Sequence, residues 1–146
     1  MKKIIYSLKE IDNVLFEIQN LIDKFSVFLF FGQMGSGKTT LIKKIMDKLL
    51  QIKDLVNSPT YSYMNKYFSK KFKKNIYHFD LYRLKNFSEI IELGLKEFLI
   101  DENSIIFIEW PEIILDEKLF DKNKICIIEL NYKKINNREI LIKTNN

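Results

Sequence analysis

A glycine-rich loop carries the residues whose types and spacing are best suited to chemistry. Residues 32–39 read Gly-Gln-Met-Gly-Ser-Gly-Lys-Thr and fit the phosphate-binding pattern G-x-x-x-x-G-K-[ST] without a gap. Such glycines let successive backbone N–H groups turn inward around a β-phosphate. Lys38 would bridge the β- and γ-phosphates, and Thr39 would offer its hydroxyl oxygen to Mg²⁺. The pattern predicts a site for an ATP-like nucleotide; a tight strand-to-helix turn without a ligand is the alternative.

Two acidic residues at predicted strand ends could complete this site. Asp80 follows the apolar run 76–79, and Glu109 follows the run 105–108. A carboxylate that ends a buried strand is costly unless a cation or hydrogen-bond donors lie nearby. We expect Glu109 on the Mg²⁺ side and Asp80 near Thr39 or the γ-phosphate, although the two roles could be exchanged. Either acid could instead cap the turn that follows its strand.

A threonine in a turn after the predicted loop helix is a further candidate. Thr60 ends the stretch 57–60, whose residue types indicate a turn. It could sense the γ-phosphate or Mg²⁺, as switch threonines do in other phosphate-loop proteins. A plain turn residue is the alternative.

The segments around the loop predict an α/β fold. The continuous apolar run 26–31 indicates a strand buried on both faces, and helical spacing resumes over 38–50. The remaining predicted strands are 3–6, 76–79, 104–108, 124–130 and 139–143, with a helix over about 9–23 and one or two short helices over 87–99. We expect one domain, 1–146, of the P-loop NTPase type. Its central sheet would be mainly parallel, with antiparallel additions and flanking helices.

Composition favours a protein of the cytoplasm. The chain has 146 residues, and its apolar runs are far shorter than the roughly 20 residues that cross a bilayer. The N-terminal stretch is basic but does not read as a secretory signal. The single cysteine, Cys126, cannot form an internal disulfide and is expected in the core. We therefore expect no membrane contact.

The positive charge has two interpretations. The formal net charge is +5, and lysine outnumbers arginine 22 to 2. The densest run, 66–74, could touch RNA, since clustered lysines bind phosphate backbones. A solvated hairpin or loop is the favoured interpretation of this run, and a biased base composition could by itself make such a chain basic.

Missing motifs narrow the nucleotide chemistry. Asn65-Lys66 is not followed by the aspartate of a guanine motif, so GTP is not specified. Small-molecule kinases of this class clamp the transferring phosphoryl group with several arginines, and this chain has Arg83 and Arg138. A small-molecule kinase is therefore the less favoured alternative.

Five strings together resemble one family. They are FGQMGSGKTT at 31–40, SPTY at 58–61, HFDLYR at 78–83, LGL at 93–95 and IEWP at 108–111. In order and spacing they resemble the TsaE family of bacterial tRNA threonylcarbamoyladenosine biosynthesis ATPases. The resemblance implies a cytoplasmic ATPase that uses ATP and Mg²⁺ and works with the TsaD and TsaB proteins. Those proteins modify the adenosine beside the anticodon, so contact with tRNA would be indirect, through the complex.

The resemblance also assigns residues. Phosphate binding falls on Gly35, Ser36, Gly37, Lys38, Thr39 and Thr40, magnesium on Thr39 and Glu109, and catalysis on Lys38, Asp80 and Glu109. Weaker carry-overs place Asn13 and Arg138 at the nucleotide base. The pair Gln33-Met34 departs from the aspartate and leucine common in the family, and we expect no loss of binding. His78 would orient a strand end, and Tyr82 and Trp110 would be either partner-facing or packed.

Overall fold

A seven-stranded sheet runs through the computed structural model, which describes residues 1–53, 63–115, 119–120, 124–134 and 136–144. The strands are β1 (Lys2–Ser7), β2 (Val27–Phe31), β3 (Met64–Ser69), β4 (Lys74–Asp80), β5 (Ser104–Glu109), β6 (Ile125–Lys134) and β7 (Asn137–Thr144). Their order across the sheet is β1-β7-β6-β2-β5-β4-β3.

The centre of the sheet is parallel and its borders are antiparallel. Strands β6, β2, β5 and β4 pair in parallel, so their carboxyl ends share one edge. The hairpin of β6 and β7 extends the sheet on one side together with β1, and β3 pairs antiparallel with β4 on the other. This arrangement confirms the predicted α/β fold with a mainly parallel centre and antiparallel additions.

Four α-helices connect and flank the strands in the described part of the chain. They are α1 (Ile11–Ile22), α2 (Lys38–Lys44), α3 (Phe87–Glu92) and α4 (Leu95–Leu99). A 3₁₀ turn, Leu8–Glu10, precedes α1, because the Glu10 carboxylate accepts hydrogen bonds from the Ser7 amide and hydroxyl. A π-helix, Ile45–Leu49, continues α2, and a second 3₁₀ turn, Pro111–Ile114, follows β5. The helix predicted over 38–50 is thus present with a wider last turn.

The apolar residues of β2 alternate between two cores. Phe28 and Phe30 point to the layer that holds α1 and α2, and Val27 and Leu29 point to the layer that holds α3 and α4. Both faces are covered, which explains why this strand is a continuous apolar run. Cys126 is buried in the first layer, as expected, and burial raises its pKa to about 12.

The lysine-rich run 66–74 forms a hairpin, which is one of the structures predicted for it. Strand β3 was not predicted; it pairs with β4 through a turn over 70–73. The Ser69 hydroxyl donates to the Leu50 carbonyl at 2.8 Å, which fixes this hairpin to the end of the π-helix. The predicted turn with Thr60 and the string 58–61 lie outside the described residues.

In the described ranges no helix is both long enough and apolar enough to cross a membrane.

Gly94 divides the helical segment 87–99, and substitutions there test the importance of its left-handed backbone conformation. Its φ of +70° ends α3 and starts α4, and a Cβ there would come no closer than 3.7 Å to another atom, Glu97 Oε2. Gly94→Ala should therefore lower the free energy of unfolding by about 1 kcal/mol through backbone strain alone. Gly94→Asn should cost less, since asparagine tolerates this conformation. Urea denaturation measures both, and equal losses for the two variants would contradict the explanation.

Candidate nucleotide site at the glycine loop

The glycine loop lies at the carboxyl edge of the parallel strands, between β2 and α2. A cavity of about 260 Å³ opens beside it. Its lining contains Met34, Gly35, Gly37, Lys38, Thr39, Thr40, Asp80, Tyr82, Glu109 and Trp110. A larger cleft of about 440 Å³ lies at the opposite edge of the sheet, where lysines alternate with Asp23, Asp101 and Glu102. The smaller cavity is the one that combines the loop with the strand-end acids.

Packing forces glycine at the first position of the loop. The φ of Gly32 is +143°, and a Cβ there would lie 2.5 Å from the Leu130 carbonyl oxygen and 2.7 Å from Ser36 Oγ. No side chain fits that space. The Ser36 hydroxyl is itself buried without a hydrogen-bond partner among the described residues. Buried polar groups normally have partners, so this hydroxyl fits a loop that closes around a polar ligand.

Lys38 is buried at the mouth of the loop. Its ammonium donates to the carbonyl oxygens of Gly32 at 2.6 Å and Gln33 at 3.1 Å. It also lies 3.9 Å from the centre of the Trp110 ring. Burial lowers the pKa of Lys38, and the carboxylates of Glu109, Glu112 and Asp80 oppose that shift. The amine is thus positioned by backbone carbonyls and faced by several acids.

Thr39 and Glu109 form the candidate metal pair. The Thr39 hydroxyl lies 3.0 and 2.9 Å from the two carboxylate oxygens of Glu109, which is 2% exposed. A hydroxyl and a carboxylate are oxygen donors of the kind Mg²⁺ prefers, and Mg²⁺ usually takes its other ligands from phosphates and water. No group of three or more His, Cys, Asp or Glu gathers around a metal position in the described part of the chain. The donor set therefore fits Mg²⁺ held jointly with a nucleotide.

His78 holds Glu109 from the neighbouring strand. Its Nε2 lies 2.7 Å from Glu109 Oε1, and both side chains are buried. Sequence reasoning gave His78 a role in orienting a strand end, and the contact shows what it orients. Spacing within β4 places His78 on the same face as Asp80, but the contact with Glu109 depends on the pairing of β4 with β5.

Asp80 has two roles in the structure. It pairs in register with Glu109 at the strand ends and lines the cavity. Its Oδ1 also accepts a hydrogen bond from the Tyr82 amide at 3.1 Å. The turn-capping alternative is thus present, while the carboxylate still faces the cavity beside Lys38.

Strand β6 contributes a residue that sequence reasoning missed. The Tyr132 hydroxyl donates to the Gly35 carbonyl at 2.5 Å. Arg138 pairs with Tyr132 across the β6–β7 hairpin, and its Nε lies 3.3 Å from where a Gly37 Cβ would stand. That Nε is buried and has no hydrogen-bond partner in the described ranges. Tyr132 could be identified only through its pairing with Arg138, which requires the register of the β6–β7 hairpin.

Asn13 is not brought to the loop by any described contact. It is exposed on α1 and does not line the cavity. Its place at the nucleotide base therefore stays a prediction.

Trp110 and Tyr82 form an aromatic pair at the cavity. Their ring centres are 4.8 Å apart, and Trp110 has a φ of +57°. Trp110 is half-buried against Lys38, whereas Tyr82 is 51% exposed. The tryptophan is therefore packed into the site, and the tyrosine keeps a free face.

Comparison with known proteins gives consistent relatives. Residues 5–140 match the family model "Threonylcarbamoyl adenosine biosynthesis protein TsaE". A protein named tRNA threonylcarbamoyladenosine biosynthesis protein TsaE from Rickettsia conorii is 35% identical, over 80% of this chain and 70% of its own length. A protein of the same name from Aquifex aeolicus is 36% identical, over 74% of this chain and 79% of its own length.

A solved structure has the same fold. Superposition with YdiB from Bacillus subtilis gives a TM-score of 0.63 at 20% identity, covering 99% of this chain and 87% of that one. The match extends over the whole sheet described above. The family model and the relatives show that this chain belongs to the TsaE family, which takes part in the biosynthesis of threonylcarbamoyladenosine in tRNA.

Proposed function

We propose that this chain is a Mg²⁺-dependent ATPase for threonylcarbamoyl modification of the adenosine beside the anticodon of tRNA. It would act on the TsaD and TsaB proteins through its nucleotide state. The observation that carries the proposal is the pair of 3.0 and 2.9 Å contacts between the Thr39 hydroxyl and the Glu109 carboxylate, next to the loop that holds Lys38. A helix-start hydroxyl facing a strand-end carboxylate is the arrangement in which phosphate-loop enzymes hold their metal.

Each residue of the loop has a task in binding. Backbone N–H groups of Gly35, Ser36 and Gly37 would hold the β-phosphate. Thr40 follows Thr39 in α2 and lines the same cavity. The Lys38 ammonium keeps its position through the Gly32 and Gln33 carbonyls while it compensates phosphate charge. Arg138, whose buried Nε lies beside Gly37 and has no hydrogen-bond partner among the described residues, would approach the nucleotide from β7.

Glu109 and Asp80 have separate proposed roles, Glu109 at the metal ion and Asp80 at the attacking water. Thr39 and Glu109 would hold Mg²⁺, which when bound neutralises charge on the phosphate oxygens. His78 keeps the Glu109 carboxylate turned toward Thr39 through its 2.7 Å contact. Asp80 faces the cavity and would orient a water toward the γ-phosphate. Lys38, Asp80 and Glu109 are accordingly the proposed catalytic residues.

The described lining of the cavity lacks a group that many phosphoryl-transfer enzymes use. Among the described residues that line the cavity there is no arginine. An arginine that stabilises the transferring phosphoryl group accelerates hydrolysis by about 10³ to 10⁵ in related enzymes. Slow turnover by the isolated chain and dependence on the partner proteins follow from this lining, which also disfavours a small-molecule kinase.

Replacing Glu109 tests whether it holds Mg²⁺ together with Thr39. Glu109→Gln should lower the rate of ATP hydrolysis at least tenfold, because an amide is a poorer Mg²⁺ ligand, and should leave Mg²⁺-free ADP binding within about twofold. Glu112→Gln is the matched control, since Glu112 also faces Lys38 but is exposed. Phosphate release and titration with a fluorescent nucleotide provide the measurements. Equal activity in the two variants would remove Glu109 from the mechanism.

Loss of the imidazole tests the support of Glu109. His78→Ala should raise the Mg²⁺ concentration for half-maximal hydrolysis about tenfold, since the carboxylate loses a contact that orients it. His78→Gln can still donate to the carboxylate and should recover part of the loss. Hydrolysis measured over a Mg²⁺ series gives both values. An unchanged Mg²⁺ requirement with a lower maximal rate would show that His78 acts in another way.

Binding to TsaD and TsaB tests whether the affinity of the chain for these proteins depends on its nucleotide state. The chain should bind purified TsaD and TsaB with affinities that differ by at least fivefold among ATP-bound, ADP-bound and nucleotide-free states. Pull-down with all three preparations measures this difference. Identical binding in the three states would rule out a nucleotide switch while leaving hydrolysis itself possible.

A further inference from the structure

Eight lysines and one carboxylate form a basic surface away from the candidate nucleotide site. The surface consists of two segments, 44–53 and 66–74, whose charged residues are Lys44, Asp47, Lys48, Lys53, Lys66, Lys70, Lys71, Lys73 and Lys74. Formally it is more positive than the whole chain, whose net charge is +5. The rest of the sequence is therefore negative on balance, and the positive charge is concentrated here.

Two hydrogen bonds join the segments into one surface. The Ser69 hydroxyl donates to the Leu50 carbonyl at 2.8 Å, and the Lys71 ammonium donates to the Leu49 carbonyl at 3.2 Å. The hairpin of β3 and β4 is thus fastened to the end of the π-helix. The turn lysines of the hairpin consequently lie beside the end of the π-helix, whereas Lys66 lies over the Tyr77 ring on the other face of the sheet.

The single carboxylate of this surface is already neutralised. Asp47 lies 3.2 Å from the Lys53 ammonium and 3.9 Å from that of Lys48. A hydrogen bond from Lys53 lowers the pKa of Asp47, with the charges of Lys48 and Lys44 adding to the effect. At the border of the surface, Lys74 lines the 440 Å³ cleft together with Asp23, Asp101 and Glu102, and the two segments contain no further carboxylate.

Biased base composition does not explain the clustering. These 19 residues hold eight of the 22 lysines in a chain of 146. A bias that raised lysine everywhere would place about three in a stretch of this size at the average frequency. The helix and hairpin therefore concentrate lysine beyond the general bias.

An exposed aromatic ring lies beside Lys66, on the face of the hairpin turned away from the π-helix. Phe68 is 55% exposed on β3, where alternation places it on the same face as Lys66. Lysines that contact phosphates and aromatic rings that stack on unpaired bases are the two elements of sequence-independent RNA binding. A lipid surface would favour an amphipathic helix with exposed apolar residues, whereas the apolar residues of the π-helix, Ile45, Met46 and Leu49, are buried in the protein.

We infer that segments 44–53 and 66–74 form a binding surface for the phosphate backbone of RNA, and that tRNA is its partner. The choice of tRNA as the RNA rests on the proposed function. The family resemblance implied contact with tRNA only through partner proteins, and this surface adds a direct contact. Strand β4 starts at the edge opposite the glycine loop, so RNA bound there leaves the nucleotide site open.

Fluorescence anisotropy with a labelled tRNA transcript tests the inference. The full chain should bind with a logarithmic affinity that falls against logarithmic salt concentration with a slope of roughly −3 to −5, as four to six phosphate contacts give. Lys66→Glu with Lys70→Glu should weaken binding at least tenfold at about 100 mM salt and flatten the slope. Both positions avoid Lys71, which caps Leu49, and Lys73, whose φ is +54°.

A charge-matched pair is the control. Lys9→Glu with Lys96→Glu changes net charge equally at exposed positions outside the surface and should weaken tRNA binding less than threefold. Thermal unfolding and fluorescent-nucleotide binding verify that each variant is folded. Should the hairpin pair unfold, Lys44→Gln with Lys48→Gln changes the helical half and should still weaken binding at least threefold.

Several results would overturn the inference. They are absence of saturable tRNA binding by the unmodified chain at about 50 mM salt, equal losses in the hairpin and control pairs, and equally strong binding to phosphatidylserine vesicles that falls with the same hairpin pair. Failure of nucleotide binding with intact tRNA binding would instead count against the proposed ATPase. The two ideas therefore fail separately.

Discussion

A buried carboxylate at the end of a fully covered strand is the constraint on which the rest of the site depends. Glu109 is 2% exposed, so its charge has lost most of its contact with water. An ionised carboxylate in such a place is stable only with donors or cations around it. The Thr39 hydroxyl and the His78 imidazole contact it directly, and Lys38 lies close enough for its pKa to respond to this charge. These contacts hold α2, β4 and β5 together at the Glu109 carboxylate.

The parallel pairing of the central strands creates that point. Because β2, β5 and β4 run the same way, the loop after β2 and the last residues of its neighbours meet at one edge. Asp80 stands in register with Glu109, and Trp110 follows immediately to cover the Lys38 ammonium. The left-handed backbone at Trp110 turns the chain back over the site rather than away from it.

Features that depend on local spacing were predictable from the sequence. The glycine loop, the strand before it, the helix after it and the two strand-end acids follow from local pattern, and the structure brings Lys38, Thr39, Asp80 and Glu109 around one cavity. Strand β3 was missed because its alternation is weak, with lysine, tyrosine and phenylalanine in succession. Its place in the sheet is decided by pairing with β4 and by the anchor of Ser69.

Contacts between distant parts of the chain were not predictable in the same way. The bond from Tyr132 to Gly35 joins residues 97 positions apart and requires the register of the β6–β7 hairpin. The link between His78 and Glu109 likewise depends on which strands are neighbours, which single-strand patterns do not contain. The π-helical turn that ends the loop helix was not predictable from local pattern either, since its Leu49 carbonyl accepts a hydrogen bond from Lys71 in the distant hairpin.

The length of that helix has an electrostatic consequence. The seven residues of α2 and the five of the π-helix separate the glycine loop from the lysine-rich hairpin by roughly 18 Å at the usual helical rise. Ionic screening at physiological salt acts over about 8 Å, so exposed charges at the two ends of the helix hardly interact. If both proposals hold, a nucleotide at the loop and RNA at the hairpin would therefore repel each other only weakly, because distance and dissolved ions screen their charges.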